Sequence, residues 1–127
     1  MFRLVPSATV RLSPEALLVA ESFLAALPPY VQAQIRSVRL FGPQARRFDP
    51  ESPFDLLVFA DERNVELKTA VAIAVSAVEA EGLYAANATL CTPGDLRDPT
   101  RLFARLLHNA EREGIDLWAR EPATAVA

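Results

Sequence analysis

Between Pro14 and Leu27 apolar positions recur at helical spacing. Leu17, Val19, Ala20, Phe23, Leu24 and Leu27 share one side, Glu15 and Ser22 lie opposite, and Glu21 sits at the margin. Ser13 followed by Pro14 supplies the start, because a serine oxygen caps orphan N–H groups and proline's fixed φ suits a first turn; Pro28 and Pro29 supply the stop. The pattern predicts an amphipathic helix laid over the core as an outer layer. Val38, Arg39, Leu40 and Phe41 are β-prone and run into Gly42 and Pro43, which predicts a short strand ended by two turn formers. From Phe54 the run Asp55, Leu56, Leu57, Val58, Phe59 is almost continuously apolar after its one charge and predicts a strand covered on both faces.

Asn64 can cap a helix from Val65 to about Ala80, with Gly82 free to take the left-handed conformation that ends helices. Val65, Leu67, Val71, Ile73, Val75 and Val78 surround much of its circumference and predict deep packing; a strand is the rival reading, and the segment is too long for one. Leu83 to Cys91 is the third strand candidate, ending at Thr92, Pro93 and Gly94. Asp98 with Pro99 repeats the cap-then-proline signature and opens a helix to about Arg112, with an apolar stripe of Leu102, Phe103, Leu106, Leu107 and Ala110. Its other side lines up Arg101, Arg105, His108 and Arg112, read as a solvated face. The order is helix, strand, strand, helix, strand, helix, with a further strand candidate from Phe2 to Leu12. This is an α/β (α+β) domain with a small mixed sheet packed against helices.

Composition bounds the picture. At 127 residues, with no internal repeat, one core is expected, over 1–119, and the small-residue tail 120–127 is expected to fray. The hydrophobic fraction of 51% against 23% charged residues excludes wholesale disorder. Thirteen basic and sixteen acidic residues, net charge -3, provide no cationic field for a nucleic-acid backbone. One cysteine, Cys91, and one histidine, His108, exclude an internal disulfide and a four-ligand zinc site. Cys91 reads as a small core residue. The longest apolar stretch, Ala70 to Val78, is too short to span a bilayer, and no signal core opens the chain, so a cytoplasmic protein without a membrane partner is expected.

Leu40, Phe41, Gly42, Pro43, Gln44, Ala45, Arg46 and Arg47, followed by Ser52, Pro53, Phe54, Asp55, Leu56, Leu57 and Val58, form two anchored halves on two expected strands. This block resembles the signature of the minimal nucleotidyltransferase (MNT) family within the polymerase-β-like nucleotidyltransferase superfamily, whose pattern reads roughly LFGSxARG, a spacer, then SDxDLLV. Thr92, Pro93, Gly94, Asp95 and Leu96 resemble the family's "TPxDL" exit from its third strand. Glu113, Gly114, Ile115, Asp116, Leu117 and Trp118 resemble its "EGxxLY" ending. The resemblance covers about Arg36 to Trp118 and implies the polymerase-β-like fold.

In the resembled family two magnesium ions on three carboxylates neutralise a nucleoside triphosphate while a hydroxyl attacks its α-phosphate. A glycine admits the phosphates and the serine after it donates to them. Laid on that template, Gly42 is kept and the serine position is Pro43, which has neither hydroxyl nor N–H to offer. The first aspartate is replaced by Pro53 and the second is Asp55. The third position falls on Asn87, or on Thr89 if the third strand slips by two residues. Arg46 persists and Arg47 replaces the final glycine; with Gly42 they are the candidate phosphate contacts, while Asp55 is the candidate catalytic residue and metal ligand. Magnesium is usually held through one or two carboxylates and the substrate's phosphates, so Asp55 beside a neutral Asn87 suits at most one weakly held ion.

The competing reading of Asp55 is a carboxylate at a strand start, satisfied by backbone N–H groups or by Arg39 or Arg46. The leading expectation is therefore a nucleotidyltransferase-like domain without catalysis or cofactor. It would bind a protein partner: itself, or the HEPN-domain protein of the toxin–antitoxin pairs that the resemblance implies. One alternative is an active magnesium-dependent nucleotidyltransferase that recruits Asp49 or Glu51 from the spacer. Another is a nucleotide or nucleic-acid sensor that uses Arg46, Arg47 and the last helix.

Overall fold

A computed structural model describes residues 2–82, 84–95, 108 and 112–120. Two helices come first, α1 (Pro6–Arg11) and α2 (Pro14–Ala26), then β1 (Ile35–Phe41), β2 (Phe54–Ala60), α3 (Val65–Ala80), β3 (Ala86–Cys91) and β4 (Ile115–Ala119). Among the described residues the four strands form one mixed sheet in the order β3-β2-β1-β4. β1 is antiparallel to β2 and to β4, while β2 and β3 run parallel, joined over α3. The chain is thus a mixed α/β domain.

Each long helix starts where its sequence says it should. The Ser13 hydroxyl accepts the Ala16 N–H at 3.0 Å, and the Asn64 amide oxygen accepts the Leu67 N–H at 2.8 Å. α2 buries Ala16, Val19, Ala20, Phe23 and Leu24, and α3 buries Leu67, Ala70, Val71, Ala74 and Val78. These stripes meet Val38, Leu40, Phe54, Leu56, Val58, Ile115 and Leu117 in the main core. The opposite face of the sheet carries a small second cluster of Phe41, Leu57 and Cys91 with Phe59 packed against it. β2 therefore buries side chains in both clusters, which is why its sequence is almost continuously apolar.

Several expectations change. The strand candidate Phe2–Leu12 is instead α1, because Pro6 opens a helical turn in which the Thr9 hydroxyl donates to the Pro6 carbonyl at 2.6 Å. The Val5 N–H donates to the Leu117 carbonyl at 2.8 Å and Phe2 packs edge-on against Trp118 at 4.6 Å, which ties this segment to β4. α3 is not packed all round: Val65 is 79% and Ile73 55% exposed, since a 3.6-residue period turns both away from the Leu67–Val71–Ala74–Val78 stripe. The third strand starts later than expected, at Ala86. A fourth strand, β4, follows Gly114 where only a family ending was read. Of the helix expected over Asp98–Arg112, only His108 and Arg112 are described, and both are helical and exposed. Leu96, Arg101, Arg105 and the tail 121–127 lie outside the described residues. Among the described residues no helix is long and apolar enough to cross a membrane.

Candidate functional site

The end of β1 and the start of β2 lie side by side because the two strands pair antiparallel, Phe41 opposite Asp55. Gly42, the next residue, turns the chain with φ 78 and ψ -163, a region closed to side-chain-bearing residues, and Pro43–Ala45 then makes one 3-10 turn. A Cβ built on Gly42 would stand 3.0 Å from the Asp55 Oδ2. The glycine is thus required twice, by its own backbone and by the carboxylate against it.

The loop that follows is held from inside. Gln44 is buried, and its amide nitrogen donates to the carbonyls of Asp49 and Ser52, each at 2.6 Å, while its amide oxygen accepts the Asp49 N–H at 2.9 Å. Asp49 accepts the Glu51 N–H at 2.9 Å and the Ser52 hydroxyl at 2.8 Å, bonds that hold its carboxyl below the usual carboxylate range. Gln44 gave no functional signal in sequence; a glutamine followed by a turn-rich spacer is the only cue to its role.

β3 lies parallel to β2 with Asp55 beside Asn87 and Leu57 beside Thr89, so the register places Asn87, not Thr89, next to Asp55. The Asn87 amide donates to the Asp55 carboxylate, and burial nonetheless holds the Asp55 carboxyl above its ordinary value. The arginines considered as partners for Asp55 point elsewhere: Arg39 bonds Asp116 at 2.9 Å, and Arg46 pairs with Glu113. Pro53, where the resemblance expects an aspartate, is exposed just before β2.

Arg46 and Arg47 line an open cleft of ≈ 550 Å³ together with Pro43, Phe48, Asp49 and Pro50. Asp55 and Asn87 do not line it, so of the candidate phosphate contacts the two arginines open on a different space, while Gly42 stays against Asp55. Asp49 belongs to this cleft and not to the Asp55 side, and Glu51 is exposed on the loop. Beyond β3 the exit turn is closed by Asp95, which accepts the Thr92 N–H at 2.9 Å and an Arg63 N–H at 2.7 Å. Cys91 is buried, and burial pushes its thiol up to about 11, so it is no nucleophile at neutral pH.

Chemically, one carboxylate, one neutral amide and a proline at the turn do not fit the two magnesium ions that the resemblance implies. Hard cations need anionic oxygens, and the Asn87 amide uses its N–H on the one that is present. Among the described residues no group of three or more His, Cys, Asp or Glu side chains is placed to hold a metal ion. No family model matches the chain, and no curated protein matches it.

Proposed function

We propose that the chain is a polymerase-β-like nucleotidyltransferase domain of the minimal nucleotidyltransferase kind that has lost catalysis and works by associating with protein. The observation that carries the reading is the pairing of Asp55 with Asn87: where the family template asks for a second anionic ligand, the strand register supplies an amide bonded to the first. Pro43 offers no phosphate donor at the adjoining turn, and Arg46 is paired with Glu113. A HEPN-domain protein in a toxin–antitoxin pair is the setting that the sequence resemblance implies.

The test is nucleotide transfer. Purified chain incubated with each labelled nucleoside triphosphate and magnesium should transfer nothing to itself or to added protein, and titration calorimetry should show no magnesium-dependent triphosphate binding. Transfer of a nucleotide that disappears in Asp55→Ala would overturn the proposal in favour of an active enzyme.

A further inference from the structure

β3 forms one margin of the sheet, and among the described residues no strand lies along its outer side. Soluble proteins usually blunt such an edge with charge, proline or a bulge, because its free N–H and C=O groups invite another strand. β3 itself has none of these, and among the described residues its charged cover is confined to the C-terminal end, where the Arg63 guanidinium donates to the Leu90 carbonyl at 2.7 Å. Its sequence, Ala-Asn-Ala-Thr-Leu-Cys, carries no charge and no proline, and it pairs with β2 from Ala86 to Cys91 without a register shift.

Beside that edge runs a groove of ≈ 460 Å³ between α3 and β3, whose lining includes Lys68, Ala72, Val75, Ser76, Ala88 and Leu90. On α3, Lys68, Ala72, Val75 and Glu79 follow one another at helical steps and form one stripe. Lys68, Ala72 and Glu79 are exposed and Val75 is half-buried. Between Thr69 and Val78 the helix has no charged residue, and Ile73 beside the stripe is 55% exposed. An exposed helix flank built of alanine, serine and valine is poor at holding water and allows close approach.

We propose that this margin is a two-fold interface with a second copy of the chain, in which the β3 edges pair antiparallel and the two copies of α3 run antiparallel alongside the seam. The charge pattern selects a second copy as the occupant. A two-fold axis opposes a surface to itself, so the antiparallel register that puts Ala72 against Val75 also puts Lys68 against Glu79, at both ends. Opposite charges at the ends of an uncharged stripe make it self-complementary, whereas equal charges would make it self-repelling. The inference rests on the protein-association reading above for its functional meaning, and it names the partner.

Sedimentation equilibrium of the full chain from about 1 to about 100 µM, the range of modest homodimers, is the test. The wild type should be a dimer at the upper end. Lys68→Glu and Glu79→Lys should each raise the dissociation constant about tenfold, because two symmetric contacts change sign together. The double variant K68E/E79K should return it to the wild-type value, while far-UV circular dichroism stays unchanged throughout because both positions are exposed. A monomeric wild type over the whole range, single reversals without effect, or a double variant that fails to rescue would each overturn the interface. The nucleotide-transfer assay reads separately: a monomer without transfer activity defeats the interface alone, and a dimer with it defeats the non-catalytic reading alone.

Discussion

Asp55 stands where the sequence resemblance expects a catalytic carboxylate, and its surroundings set how it behaves. Its carboxylate lies against Gly42, accepts from Asn87, and is held above its ordinary value by burial. The sign follows from linkage: the folded chain holds this proton more tightly than the unfolded chain. Its contribution to stability is full below the usual carboxylate value of 3.8 and is lost as pH rises through the higher folded value. Asp55→Asn removes that loss. Urea unfolding from pH 4 to pH 7 should show the variant gaining on the wild type as pH rises and at least matching it at neutrality; a variant that is less stable at pH 7 would contradict this. The sequence brought Gly42 and Asp55 to attention together, and they do touch. It left Asn87 and Thr89 open, because a parallel register is set by α3 and its two connections and not by any pattern within β3.

At the level of elements, local signals were strongest where a side chain completes a backbone bond. The caps Ser13 and Asn64 mark the true starts of α2 and α3, and Gly82, with φ 71, follows the end of α3. Signals failed where the chain is short. Six residues of α1 and five of β4 give too few repeats for a period to show, and in β4 Asp116 breaks the apolar run to pair with Arg39. The loop between β1 and β2 behaves as an element of its own, built round Gln44. Gln44→Ala removes three hydrogen bonds and leaves half-buried backbone groups of Asp49 and Ser52 without that partner, at a cost of about 2 kcal/mol. Thermal unfolding should register this as a drop of several degrees, with proteolysis newly admitted between Pro43 and Pro53; an unchanged midpoint would show that the loop is held by other means.

Across the whole molecule, one carboxylate fastens three strands. Asp61, just past β2, accepts from Arg120 after β4 at 3.0 Å and from Arg36 of β1 at 2.6 Å, and these two guanidinium groups, Arg120 first, hold it down to about 2. A depressed value means that stability is present above the ordinary 3.8 and lost as pH falls toward about 2. Asp61→Asn should therefore cost about 1 kcal/mol at pH 7, a figure kept small because the ion pairs face solvent. The deficit against wild type should shrink as pH approaches 2 and in molar salt; a deficit that ignores both would exclude an ionic origin. None of this network was legible in sequence, since Arg36, Asp61 and Arg120 are brought together only by the strand order.

That order also fixes when the sheet is finished during synthesis. β1, β2, α3 and β3 leave the ribosome well before Ile115–Ala119, yet β1 pairs with that last strand through Leu40 and Ile115. Until then a nascent chain presents the bare side of β1, and Asp61 has Arg36 but not Arg120. The interval is the one in which a chaperone, or a neighbouring nascent chain, finds β1 open.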